Sequence, residues 1–473
     1  MSTTDPAKEA SSAESYDPLS VDFYARHLAQ INERKPVVAQ EDICSAQGGL
    51  LVPKGTALSR QITDRIVSFR LMRPLESSIQ ITKEIDGLDL RRHFQQVLAQ
   101  HPRLAGLFQQ QDLSLALQMA CNDYQGFPVL RQKLTVLADR LPQVYQKCLE
   151  TSLLSLMLIR QLGLPEEQTR ELMLAGLAHD IGMLHINPNL IMHSGDLEPH
   201  DWRQLQAHTI IGQKILAAIP TMPKAVARAV LEHHERCDGT GYPQGKHADQ
   251  LGRLGQILAL CEGAVASYRN RLQPHDKDWR DLIPALQMDT QSHGPDNSAG
   301  LILLLRQLDK PPLPKGRPDS PTQPIQLLKE QISVVRQALL LIKPPLMQTV
   351  LPDREQNLKL VRLKVLYSHV STAVRGSGIV EDSYQRWLQH LAQAPYPEGL
   401  AEVREVQLML EELAFHLHRL GRMISLFPAE ELAPVQTELA PLLPQLSKIA
   451  GRSKSDGTKI QNAHTSSDLD CQL

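Results

Sequence analysis

Apolar residues recur at helical spacing along most of the chain. Leu153, Leu156, Met157 and Ile159 share one face of a helix that runs to Leu162, and Gly163 follows as a natural C-terminal cap. Pro165-Glu166-Glu167 opens the next helix, because proline suits a first turn and acids suit the positive end of the helix dipole. Its apolar positions Leu172, Leu174, Leu177 and Ala178 lead to His179-Asp180 at the C-terminal end, where Gly182 is expected to stop it. The same pattern predicts helices over Trp202–Leu216 and Pro223–Leu231, and one carrying Glu262 after the apolar run Ile257–Leu260. Leu88–Gln100 and Leu113–Cys121 read as helices upstream, and Ile325–Ile342, Arg354–Ala373 and Leu400–Leu426 as long helices downstream.

Residues 36–82 break the pattern. Val37-Val38 and Leu50-Leu51-Val52 are short apolar runs separated by Gly48-Gly49 and closed by Pro53-Lys54-Gly55, which reads as a small β-element with a hairpin-like turn. Ser59 is placed to cap a helix through about Leu71, and Ser77–Ile81 reads as another strand. The expected organisation is a disordered tail (1–20), a small α/β accessory module (21–85) and a helical connector (86–135). A helical domain follows (136–308, core 136–272). Residues 309–324 hold six prolines in sixteen positions and read as a linker. A C-terminal helical region (325–450) and a polar tail (451–473) complete a mainly α fold. No internal repeat is evident.

Composition narrows the function classes. Aromatics are only 4% of the chain, so the core must be aliphatic. The net charge of −2 leaves no basic surplus to neutralise phosphates, which argues against a nucleic-acid polymer as partner. Six scattered cysteines without a CxxC pair read as reduced thiols. The polar N-terminus lacks the apolar stretch of a secretory signal, and runs such as Leu301–Leu305 fall far short of the ~20 residues of a membrane span. Together these features predict a soluble, cytoplasmic protein.

Histidine changes the picture. Of 18 in the chain, eight lie between His179 and His247, where an even spread would put about three. Neutral imidazole is the commonest transition-metal ligand, and carboxylates complete such sites. His179, Asp180, His208, the pair His233-His234 and Glu262 fall on different predicted helices, each able to supply an inward ligand. After the histidine pair, His233 to Gly245 read HHERCDGTGYPQG. Its glycines predict a flexible turn, and Tyr242-Pro243 a stiff exit.

HDIGM (179–183) followed by HHERCDGTGYPQG resembles the HD-GYP family of metal-dependent phosphohydrolases. Leu162-Gly163-Leu164, His208 with Gly212, and Ile257–Glu262 extend the likeness over about 135 residues. The resemblance implies an all-α domain holding two or three metal ions, often iron or manganese, and hydrolysis of cyclic di-GMP to pGpG or GMP in a bacterial setting. It implies catalytic roles for Asp180 and His179, and a metal-ligand set of His179, Asp180, His208, His233, His234 and Glu262. It further implies that Arg236, Asp238, Gly241, Tyr242 and Pro243 form a loop that meets substrate or a protein partner. The pattern also breaks. Lys147 stands where the family's first histidine ligand falls, with Glu150 one turn away as a conceivable substitute. Met183, His193 and Gln256 replace basic residues, Val265 replaces an acid, and Glu262 stands for an aspartate. Asp180, His208, His233 and His234 can complete one metal site as they stand. The other would keep His179, Asp180 and Glu262, so one or two ions are expected. The alternative to an enzyme is a degenerate signalling module that binds metal, nucleotide or a protein. A general HD enzyme acting on another nucleotide is a third reading. Homodimerisation through the C-terminal helices also stays open.

Overall fold

In the computed structural model, which describes residues 22–192, 199–308, 322–350, 354–425, 427 and 430–450, helices dominate and strands are confined to the N-terminal module. That module holds helix α1 (Asp22–Asn32), strands β1 (Val37–Ala39), β2 (Ile43–Cys44) and β3 (Leu50–Val52), helix α2 (Arg60–Val67) and strand β4 (Ile79–Ile81). The hairpin joins β2 to β3 around Gly48, whose φ of +83° costs a glycine little. β1 pairs instead with the distant β4, Val37 opposite Ile81. Ser59 caps α2 by accepting from the Ile62 amide, but the helix ends at Val67 rather than Leu71, because Leu71 forms a β-bridge to Ser45. The strand expected from Ser77 is preceded by a helical turn, Leu75–Ser78.

Helices α3 (Gly87–Gln100), α4 (Pro102–Gln110), α5 (Ser114–Gln125) and α6 (Pro128–Arg140) lead into the bundle: α7 (Pro142–Gln161), α8 (Glu166–Ala178), α9 (Pro199–Ala217), α10 (Lys224–Glu232), α11 (Arg253–Ser267) and α12 (Pro295–Arg306). Gly163 caps α7 with φ +66°, as its place after the apolar run predicts. Gly182 has a different task from stopping α8, which already ends at Ala178. A Cβ there would lie 2.0 Å from the His208 carbonyl oxygen, so glycine lets α9 approach the turn after His179-Asp180.

One aliphatic core runs without interruption from Tyr24 to Leu308, so the module, the connector and the bundle share an interior. A buried polar knot ties them together. Lys133 Nζ lies 2.6 Å from Glu76 Oε1, 2.9 Å from His185 Nε2 and 3.1 Å from the centre of the Tyr24 ring. Burial lowers the Lys133 ammonium to about 8 against the pull of Glu76. His185 belongs to the 3₁₀ turn Ile181–His185, so the module grips the segment directly after His179-Asp180.

A second aliphatic core spans Ile325 to Ile449. It is built by α13 (Thr322–Gln348), α14 (Arg354–Ser377), α15 (Asp382–Gln393), α16 (Pro397–Ser425), α17 (Ala433–Leu439) and α18 (Leu443–Ile449). α15, α17 and α18 are absent from the sequence expectation, being short and rich in polar residues. Helix starts at Thr322, with Pro324 in its first turn, where a missing amide hydrogen costs nothing. The two predicted tails, His193 and residues 309–321 of the predicted linker lie outside the described residues. No helix among those described is long and apolar enough to cross a membrane.

Candidate metal centre

The bundle helices deliver their polar side chains to one point. His179 and Asp180 follow the C-terminus of α8, His208 projects from the middle of α9, His233-His234 follow α10, and Glu262 projects from α11. All six are buried to 1% exposure or less. Asp180, His208, His233 and His234 each offer a ligand atom, all within 4.8 Å of one another. A second group, Cys148, His179 and Asp180, shares the same carboxylate. Cys148, invisible as a donor in the sequence, arrives there because α7 packs along α8.

Hydrogen bonding fixes the protonation pattern of the rings. The Nδ1 atoms of His179, His208 and His233 lie 2.8, 2.7 and 2.6 Å from the carbonyl oxygens of Gly176, Leu205 and Val230. A carbonyl only accepts, so each Nδ1 carries a proton and donates it, which turns the Nε2 of a neutral ring into a lone pair. His208 and His233 are neutral, because burial lowers both below the ordinary histidine range; burial and the neighbouring rings do the same to His234. The Nε2 atoms of His208 and His233 therefore face each other across 3.3 Å, lone pair toward lone pair. Asp180 Oδ1 lies 3.5 and 3.8 Å from them, buried and without a hydrogen-bond partner among the described residues. Three acceptors converging in a dry interior repel one another unless a cation lies among them. This donor set fits a divalent transition-metal ion.

The other oxygen of Asp180 meets different company. Oδ2 lies 2.7 Å from Lys147 Nζ and 3.2 Å from His179 Nε2. Lys147 also reaches Glu262 Oε1 at 3.1 Å. Burial would lower its ammonium, but Asp180 and Glu262 outweigh it and keep the group charged. Asp180 is held well below the usual carboxylate range: burial opposes this, and His179 and Lys147 prevail. Glu150 is no substitute ligand. Its carboxylate is taken by Arg269 at 3.0 Å and His101 at 3.5 Å. Met183 and Val265 are buried apolar positions. Gln256 holds the Ala248 carbonyl at 3.1 Å.

The loop after His234 is pinned rather than flexible. Glu235 accepts from the amides of Gln244 (2.7 Å) and Lys246 (3.0 Å), and Asp238 from the Thr240 amide and hydroxyl and the Ser292 hydroxyl. A Cβ on Gly241 would lie 2.3 Å from the Arg236 nitrogen, so only glycine allows this fold-back. It brings Tyr242 flat against His234, ring centroids 4.7 Å apart, with Trp202 edge-on to the tyrosine. Pro243 follows Tyr242 at the loop's exit. His234, Arg236 and Tyr242 line a cavity that Phe415, His416 and Arg419 of α16 also line. Nothing in the sequence pattern assigns those three residues to the site, since their approach depends on how the second core docks.

A buried His/Asp cluster inside a helical bundle, beside an arginine-bearing loop, is an arrangement that could hold a metal ion. Residues 132–285 match the HD domain family. The chain is 33% identical over 135 residues to a cyclic di-GMP phosphodiesterase of Pseudomonas aeruginosa, covering 28% of this chain and 32% of that protein. It is 33% identical over 106 residues to a 3'3'-cGAMP-specific phosphodiesterase of Vibrio cholerae, covering 22% of this chain and 23% of that one. A cyclic di-GMP phosphodiesterase of Thermotoga maritima is 31% identical over 128 residues, 27% of this chain and 35% of that protein. The similarity thus spans about a third of the length of these relatives or less.

Proposed function

We propose that the protein is a metal-dependent phosphodiesterase that hydrolyses cyclic di-GMP to pGpG or GMP. The observation that carries this reading is the convergence of the His208 and His233 lone pairs on Asp180 Oδ1, an arrangement a cation relieves. Asp180, His208, His233 and His234 would hold the ion, a divalent transition metal by their nitrogen and carboxylate donors and iron or manganese by the family resemblance. When bound, such an ion supplies Lewis acidity toward a phosphoryl oxygen and an acidified water. The chain's own residues supply the rest. The backbone carbonyls behind His208 and His233 keep each Nε2 aimed at the centre. Tyr242 and Trp202 shield His234 from solvent. Arg236, on the cavity wall, is placed to meet a phosphate, which a guanidinium binds through paired hydrogen bonds.

Metal-replete protein incubated with cyclic di-GMP should yield pGpG or GMP on chromatography, and Asp180→Ala should yield neither. The same run with 3'3'-cGAMP, the substrate in the name of the Vibrio cholerae relative, tells the two dinucleotides apart. A second reading, a degenerate module that binds metal, nucleotide or a protein through residues 236–243, is favoured by Met183. It is apolar and buried where the resemblance places a lysine. Absence of turnover with iron or manganese loaded would select that reading.

A further inference from the structure

The two donor groups share Asp180, and they are not equivalent. Toward His208 and His233 the carboxylate presents Oδ1, which has no hydrogen-bond donor among the described residues. Toward Cys148 and His179 it presents Oδ2, and there a cation is already present: the Lys147 ammonium, 2.7 Å from Oδ2 and 3.1 Å from Glu262 Oε1. Lys147 is 2% exposed and comes from α7, whose face is held against α8 and α11 by the aliphatic core. The ammonium therefore does not swing out to solvent without opening the bundle.

We infer that this protein carries a mononuclear metal centre in which the Lys147 ammonium is a covalently tethered replacement for a second ion. The inference rests on the metal reading above and deepens it. A metal ion bound to Oδ2 would lie about 2.1 Å from that oxygen. It would then be no more than about 5 Å from the ammonium, two cations in an interior that screens them poorly. The group formed by Cys148, His179 and Asp180 thus holds an ammonium, while the group formed by Asp180, His208, His233 and His234 holds the ion. His179 and Glu262, expected from the sequence to serve a second metal, position Asp180 and Lys147 instead. The second of the two expected ions is built into the chain.

The test counts ions in the full-length protein, stripped with chelator and titrated with Mn²⁺. Elemental analysis should give one equivalent, and electron paramagnetic resonance should show the six-line signal of an isolated Mn²⁺. Lys147→His, its fold checked by circular dichroism, removes the fixed charge and adds a donor. It should take up a second equivalent and show the broadened signal of a coupled pair. Two ions in the wild-type protein, or a folded Lys147→His variant that still binds only one, overturns the inference and leaves the metal reading intact. A wild-type protein that retains no ion overturns both. The wild-type titration decides by itself if the variant does not fold.

Discussion

The two aliphatic cores differ in what else they bury. The first encloses Lys147, His179, Asp180, His208, His233, His234 and Glu262, all at 2% exposure or less. In the second, among the described residues, the buried polar side chains are Thr349 and Glu412, and Glu412 turns outward to pair with Arg271 of the first. Removing a charge from water costs several kcal/mol even after relaxation. Aliphatic side chains would fill the same space without that cost. A core that keeps seven ionisable groups at one point is therefore shaped by chemistry, and one built from Leu, Ile and Val is shaped by packing. The second core bears on function through its surface. Phe415, His416 and Arg419 wall the cavity, and Lys277 Nζ meets Glu411 at 2.7 Å across the same seam.

Substitutions in the polar centre should break this contrast most strongly. Asp180→Ala removes the carboxylate shared by both donor groups. Turnover should fall by about 10³-fold or more, beyond the usual effect of deleting one electrostatic contact, and bound metal should be lost on elemental analysis. Next comes Lys147→Met, a change of similar volume that would be mild in an aliphatic core. Here it leaves Asp180 and Glu262 buried beside each other without their counter-ion. Denaturation in chelator should show a loss of about 3–5 kcal/mol, the usual cost of breaking a buried pair. A Leu→Met exchange in the second core, Leu413→Met, should cost less than about 1.5 kcal/mol. Similar losses for the two would mean that the centre is ordinary packing. Gly241→Ala should cost less than Lys147→Met, about 1–3 kcal/mol by overpacking. It should also raise KM for the dinucleotide, because the loop must open to admit the Cβ near the Arg236 nitrogen.

What was legible in the sequence follows the same division. The helices that carry the centre announce themselves by apolar period and by Gly163 and Pro165, and adjacency in the pairs 179–180 and 233–234 marks the two helix ends that meet. Lys147 was legible as a departure but not as an ion-pair partner. Its contacts join α7 to α8 and α11, with Glu262 lying 115 positions away. Gly182 and Gly241 read as turn-makers, whereas close approach of another backbone explains both. In the N-terminal module, two-residue β2 is too short to carry a period, so the pairing of β1 with β4 could not be inferred. The docking of α14 and α16 onto the loop depends on polar contacts between surfaces, which leave no periodic trace.

One such contact gives the smallest prediction. His369 Nδ1 of α14 lies 3.1 Å from Asp238 Oδ2 in the loop. Burial alone would raise Asp238, but His369 and Thr240 lower it to about 2. The bond to Asp238 raises His369 against its own burial. A raised histidine contributes fully below its unfolded value of about 6.5, and that contribution is lost as pH rises through the higher folded value. A lowered aspartate contributes above about 3.9, and that contribution is lost as pH falls toward 2. The seam should thus hold best between about pH 4 and 6.5 and loosen on the alkaline side. Partial exposure limits the effect to about 1 kcal/mol or less. Amide hydrogen exchange, corrected for its intrinsic pH dependence, should show α14 less protected at pH 8.5 than at pH 6 in the wild-type chain. In His369→Gln it should be equally low at both. Protection that ignores both pH and the variant would mean that the second core has no hold on the loop through His369, and that its influence on the cavity is carried by α16 alone.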